Sequence, residues 1–283
     1  MSKKKTVSLI LGSGGARGYT HIGIIHELER QGYDIKSISG SSMGALIGGL
    51  YACGKLKEYE EWIENFDLMD ILKLVDFSFG SNGMIKGDKV FMEIENIIGD
   101  INIEDLPISF TAVATDVEKS KEVWLQKGSL KDAIRASIAI PTIFTPKEIN
   151  GKILFDGGIL NPVPVLPTLS DFSDLLIAVD LNYDAPVPAE YQDILKIKKS
   201  YLNRKVSRFL ETNFFTDSAE LNYFSIVNRS IETMQGLISR YQLASHRPDI
   251  MINISTDVCD FYDFHKSKEL ITYGERIAKD SLI

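Results

Sequence analysis

A serine framed by glycines, Gly40-Ser41-Ser42-Met43-Gly44, follows a short run at residues 35–38 with isoleucine at each end and precedes a small-residue apolar run at 45–52. That order reads as strand, tight turn, helix. A Gly-x-Ser-x-Gly stretch at such a turn holds its serine at strained backbone angles, with the hydroxyl exposed and a helix N-terminus behind it. Gly40 and Gly44 remove the Cβ atoms that would collide there or block a substrate. Ser42 is therefore a candidate nucleophile. The same five residues also suit an ordinary glycine-serine turn capping a helix, so the neighbouring segments must decide.

Upstream, residues 6–11 have the composition and length of a buried strand. They run into Gly12-Ser13-Gly14-Gly15-Ala16-Arg17-Gly18, after which Ile22, Ile25 and Leu28 give residues 19–30 a helical period that stops at Gly32. A strand, a glycine-rich turn and a helix present free backbone N–H groups to an anion. A dinucleotide pyrophosphate is one such anion. Against it, Arg17 occupies the third fingerprint position, and the next strand ends at Gly40-Ser41-Ser42 without an acidic ribose ligand. An oxyanion is the other, with the N–H groups of Gly14 and Gly15 stabilising a tetrahedral intermediate. A turn with no ligand is the plain alternative. In a doubly wound sheet, consecutive turns after strands open on one edge, which sets this loop beside Ser42.

The chain continues with covering helices at residues 57–75, a loop at 77–83 and an amphipathic helix at 88–98. Residues 110–115 and 122–125 read as strands, and 130–137 as a short helix ended before Pro141. Then Ile153-Leu154-Phe155 delivers Asp156 into Gly157-Gly158, where paired glycines let a substrate or another backbone approach the carboxylate. A hairpin-type Asp-Gly turn is the competing reading. Residues 175–180 form a further buried strand, 194–243 a helical stretch, 249–254 a last strand and 264–278 a closing helix. Lys196, Lys198, Lys199, Arg204, Lys205 and Arg208 make a basic cluster, either a solvated helix face or a contact for anionic headgroups.

A serine hydroxyl needs a base. Of four histidines, His21 and His26 sit in the first helix, His21 in its first turn. His246 and His265 come late enough for a Ser…Asp…His order, but neither has glycine-rich or strand-end surroundings. The rival is direct pairing of Ser42 with Asp156, ionised in a pocket poor in water.

Composition narrows the class. At 283 residues the chain suits one large α/β domain or one domain with a modest appendage. A net charge of −8 argues against nucleic acid as a partner. Cys53 and Cys259 read as buried free thiols of a reducing compartment. Lys3-Lys4-Lys5 before residues 7–11 is too short a pattern for a signal peptide, and no segment has the length to span a bilayer. The expected location is cytoplasmic, with peripheral contact at the inner membrane face.

Taken together, the glycine loop at 12–18, the serine turn at 40–44 and Asp156-Gly157-Gly158 resemble the patatin-like phospholipase family, bacterial branch. Arg135-Ala136-Ser137 with Pro141, and Asn161-Pro162-Val163-Pro164, are also similar to its patterns. The resemblance covers residues 5–183, and residues 184–283 match loosely. It implies an α/β fold of three layers (α/β/α) with a mainly parallel central sheet. The catalytic core would span 5–183, and a helical portion at 184–283 would complete the fold and shape or cover the substrate entrance. It implies a Ser42–Asp156 dyad cleaving lipid acyl esters through an acyl-enzyme, with no metal and no cofactor. Gly14 and Gly15 would form the oxyanion hole and Ala16 would add a third N–H. Gly12, Arg17, Gly18, Gly40, Gly44, Gly157 and Gly158 would support them, Arg17 by bracing the loop. An acyltransferase or thioesterase on the same dyad, and a non-catalytic lipid-binding module, are the alternatives. Headgroup, chain length and oligomeric state are not fixed by the sequence.

Overall fold

The computed structural model describes residues 4–64, 88–141, 144–195 and 223–282. The expected helical residues 65–75, the loop at 77–83 and the basic cluster from Lys196 to Arg208 lie outside the described residues.

Strand β1 (Thr6–Leu11) is buried on both faces, as a central parallel strand must be. It connects through a single tight helical turn (Gly15–Tyr19) to α1 (Thr20–Arg30), and then to β2 (Asp34–Ser41). Helices α2 (Met43–Ala52), α3 (Leu56–Glu64) and α4 (Asp88–Ile98) lead to β3 (Ser109–Asp116). There follow β4 (Lys121–Leu125), α5 (Leu130–Ser137), β5 (Lys147–Ile149), β6 (Lys152–Asp156) and β7 (Leu175–Tyr183). The last elements are α6 (Tyr223–Ser245), β8 (Ile250–Ser255) and α7 (Ser267–Ser281).

The strands form one sheet in the order β5-β6-β3-β2-β1-β7-β8, with β4 also on β3. Strands β3, β2, β1, β7 and β8 are parallel to their neighbours, whereas β4, β5 and β6 pair antiparallel. The sheet is thus mostly parallel, with helices on both faces. On one face Val7, Leu9 and Leu11 of β1 join a large core with α1, α2 and α7. On the other, Ile10 and Ala178 pack with Val163, Val165 and Leu243 of α6. Alternation along β1 feeds both layers. The C-terminal portion does more than cover the core, because β8 extends the parallel sheet beyond β7 and α7 packs along α1.

Strand β5 is an element that the sequence reading lacks. It and β6 form a hairpin through Asn150 (φ 51°) and Gly151 (φ 72°), the Asn-Gly turn whose two left-handed residues match strand twist.

Where α1 crosses α7, the backbones nearly touch. A Cβ on Gly274 would lie 2.2 Å from the Thr20 carbonyl oxygen. Gly274→Ala is therefore expected to lower stability by about 1–3 kcal/mol through overpacking. Gly236→Ala in α6 would meet nothing closer than 3.6 Å, and is expected to leave stability unchanged or raise it by up to about 1 kcal/mol through helix propensity. Thermal unfolding of the two variants checks the contrast.

Candidate active site

Strand β3 is paired along both edges. Ala112 and Val113 pair with β4 as well as β2, and Ala114 to Asp116 pair with β4 as well as β6. Strands β2 and β6 must therefore share the edge opposite β4, meeting end to end. Ser41 closes β2 opposite Val113, and Asp156 closes β6 opposite the next residue, Ala114. Register alone brings residues 42 and 156 together. The junction tolerates no side chain at Gly157, whose Cβ would sit 2.1 Å from the Val113 oxygen.

Ser42 lies at φ 56°, ψ −124°, a left-handed conformation that costs a non-glycine residue about 1–3 kcal/mol. The turn is closed tightly enough that a Cβ on Gly44 would meet the Leu11 oxygen at 2.0 Å, and one on Gly40 the Gly44 backbone at 2.4 Å. The Ser42 N–H donates to the Ser137 hydroxyl at 3.0 Å, and that hydroxyl donates to the Val113 carbonyl at 2.6 Å. Ser137 thereby ties the turn to β3. In the sequence Ser137 reads as the end of a short helix, in a run similar to a family pattern, with no sign of this bridge.

Asp156 is buried. Its Oδ1 accepts the Gly158 N–H at 2.7 Å, while Oδ2 has no aligned hydrogen-bond partner. Burial pushes the carboxyl up to about 7, against the pull of the nearby Ser42 hydroxyl and the Gly158 N–H, which favour the charged form. Gly158 packs against Ser13 and Gln235.

The glycine loop is pinned residue by residue. The Gly12 N–H donates to the Val179 oxygen at 3.1 Å and the Ser13 N–H to the Pro162 oxygen at 2.8 Å. Ala16, expected as a third donor, gives its N–H to the Phe261 oxygen at 2.9 Å. That contact removes it from the free set in this structure. Among the described residues, the N–H groups of Gly14 and Gly15 have no acceptor. Gly15 sits at φ 56°, and Gly18 abuts Met43 of the serine turn. Arg17 is buried and pairs through Nη2 with Glu232 of α6 at 3.1 Å, joining the loop to the C-terminal portion. His21 is buried and Nε2 donates to the Gly12 oxygen at 2.9 Å. Burial lowers its pKa to about 4, so it stays neutral and acts as a clamp on the loop.

Two cavities meet at Ser42. One has mixed walls, with Ser13, Asp156, Glu232 and Gln235 among Ile140, Ile159, Ile231 and Phe261, and a volume of ≈ 410 Å³ with its mouth included. The other is apolar and occupies ≈ 800 Å³ on the same basis, between α2, α3 and α4, with Leu46, Trp62, Phe91 and Ile94 in its walls. No histidine lines either. His26 approaches Glu60 and Glu275, His246 lies in a groove by Asn161, and His265 neighbours Asp263. Asp156 shares a cavity with Ser42. Cys259 is buried and Cys53 half-buried, both free. Among the described residues, no group of His, Cys, Asp or Glu is arranged to hold a metal ion, and no helix is long and apolar enough to cross a membrane.

Comparison with known proteins adds to this geometry. The family model described as patatin-like phospholipase matches residues 9–169. An NTE family protein of Mycobacterium tuberculosis is 35% identical, over 99% of this chain and 92% of its own length. The lysophospholipase NTE1 of Saccharomyces cerevisiae is 32% identical over 68% of this chain, which is 12% of that much longer protein. Among solved structures, VipD from Legionella pneumophila shares the fold at TM-score 0.55 and 16% identity, covering 98% of this chain and 67% of VipD.

Two stability outcomes follow from the site. Ser137→Ala takes the acceptor from the Ser42 N–H and one donor from the Val113 oxygen, and is expected to cost about 1–3 kcal/mol in denaturant unfolding. Asp156→Asn keeps an acceptor for Gly158 but removes a buried charge. Because the folded carboxyl titrates near 7 and its ordinary value is 3.8, the native state is penalised above pH 7 and relieved as pH falls towards 4. The variant is therefore expected to be more stable than wild type by about 1–3 kcal/mol at pH 8, with the gain shrinking towards pH 4.

Proposed function

The chain belongs to the patatin-like phospholipase family, and from that membership we propose that it is a lipid ester hydrolase in which Ser42 and Asp156 form the catalytic dyad. The observation that carries the reading is the position of Ser42, strained beside a carboxylate where a cavity of mixed polar and apolar lining meets an apolar one. An amphiphilic ester fits that junction. Its acyl chain enters the apolar cavity between α2, α3 and α4, and its alcohol moiety faces Glu232 and Gln235. The substrate class is a phospholipid or lysophospholipid. The lysophospholipase name of the yeast relative supports that choice.

In the proposed reaction the Ser42 oxygen attacks the acyl carbonyl carbon while Asp156 takes the hydroxyl proton. The carbonyl oxygen gains the negative charge and is stabilised by the N–H groups of Gly14 and Gly15. Collapse breaks the bond to the alcohol, which leaves with the proton from Asp156, and Ser42 is left acylated. Water then attacks the acyl-enzyme, Asp156 takes its proton, and fatty acid departs as the proton returns to Ser42. Arg17 supports the loop through Glu232, and Gly12, Gly18, Gly40, Gly44, Gly157 and Gly158 allow the close packing. The unbound Ser42–Asp156 contact need not be fully aligned, since such bonds tighten on substrate binding. The reading also takes the protein to be cytoplasmic, meeting its lipid at the inner membrane face.

A fluorophosphonate probe is expected to label wild type and not Ser42→Ala, with free fatty acid released from lysophospholipid only by the former. Labelling that survives Ser42→Ala would refute the assignment. Asp156→Asn is expected to lower kcat by about 10²–10⁴-fold. In wild type, kcat/KM is expected to rise with pH to a plateau, with an apparent pKa near 7, because only the ionised carboxylate accepts the serine proton. A rising limb centred near 4 would contradict Asp156 as the buried base.

A further inference from the structure

Among the described residues, the Gly14 and Gly15 N–H groups of the glycine loop have no acceptor, so what aims them matters. A trans peptide unit holds its C=O and N–H on opposite sides of one rigid plane, and among the described residues no peptide bond is cis. The Gly14 N–H therefore shares a plane with the Ser13 carbonyl, and whatever fixes that carbonyl also fixes the donor. The Asn182 side chain does so, with Nδ2 donating to the Ser13 oxygen at 3.0 Å in a buried setting.

Asn182 is itself held in place. It stands near the end of β7, where the pairing with β8 shifts register between Asp180 and Tyr183, an irregularity of the kind that re-aims a side chain. Its backbone N–H donates to Asp180 Oδ1 at 3.0 Å. The preceding residue, Leu181, fills the space where a Gly14 Cβ would stand, 2.6 Å from the Leu181 Cβ. One strand end thus supports the loop from beneath and grips its carbonyl. The peptide plane before it has a separate clamp, since the Gly12 oxygen accepts from His21 and the Ser13 N–H donates to Pro162. Ser13, Gly14 and Ser42 line the same cavity. With the Ser13 carbonyl drawn towards Asn182, the Gly14 N–H is turned away from β7.

We infer that Asn182 is a positioning residue for the oxyanion site, keeping the Ser13–Gly14 peptide from rotating its N–H away from the developing charge. The inference rests on the serine-hydrolase reading above. Without the Nδ2 donor this peptide can flip, presenting a carbonyl oxygen where a donor is needed.

The test compares a short-chain aryl ester with its thiono counterpart, in which C=S replaces C=O and the developing anion is a weak hydrogen-bond acceptor. On the oxygen ester, Asn182→Ala is expected to lower kcat by about 10–10²-fold with KM within about twofold, up to the loss seen when one oxyanion donor is removed. On the thiono ester its rate should stay close to that of wild type. Equal losses on both substrates would mean a purely structural bond and overturn the inference, as would a wild-type rate on the oxygen ester. Should Asn182→Ala unfold below the assay temperature, Asn182→Asp keeps the shape without the donor, and the same outcomes decide. Ser42→Ala runs alongside. If it is inactive, a negative result at Asn182 counts against this inference alone, whereas an active Ser42→Ala enzyme overturns the serine reading and this inference with it.

Discussion

The site depends on the divided edge of β3. One strand pairs in parallel with β2 for its first part and antiparallel with β6 for its last, so two chain ends arrive at consecutive residues from opposite directions. Hydrogen-bond register leaves little freedom in such an arrangement, because a slip of one residue turns a side chain to the other face of the sheet. Ser137 reinforces the junction by spanning from the serine turn to Val113. Asp156 is held through its own backbone as well, its N–H on the Ala139 oxygen and its carbonyl accepting from the Thr115 hydroxyl.

The site keeps several groups in conformations or settings that oppose stability. Ser42 is strained, Asp156 carries a carboxyl where water is scarce, and Ser13, Ser41 and Asn182 each retain a buried polar atom without a partner. Groups of this kind persist only where the surrounding structure over-determines them. Here that surrounding is a sheet buried on both faces and a helix pair, α1 and α7, in backbone contact.

What was legible in the sequence had a local cause. Gly40, Ser42 and Gly44 announce a turn because backbone geometry demands those residues in that order. The double glycine after Asp156 marks a close approach even though its partner, the Val113 oxygen, cannot be named in advance. The strands and most helices followed from apolar periodicity, and residues 88–98 form the expected helix. The illegible parts depend on tertiary contact. Trp62, Phe91 and Ile94 look like the core face of any amphipathic helix, and only packing reveals that they wall a cavity reaching Ser42. The family resemblance implies a free N–H at Ala16, yet the Phe261 oxygen, distant in the chain, takes it. Strand β5 is only three residues long, too short for a period to show in the sequence, although the Asn150-Gly151 turn beside it is a local signal.

The neutral clamp at His21 has a consequence for acid exposure. Its native form refuses a proton down to about pH 4, well below the ordinary 6.5, so acidification below 6.5 draws stability away through this group. Asp156 does the reverse, taking up a proton near 7 that the unfolded chain would accept only around 3.8. Over nearly the same interval, one buried side chain gains what the other gives up. On the proposed mechanism, mild acidification would idle the serine by protonating Asp156, while the opposed contributions of these two side chains to stability offset one another.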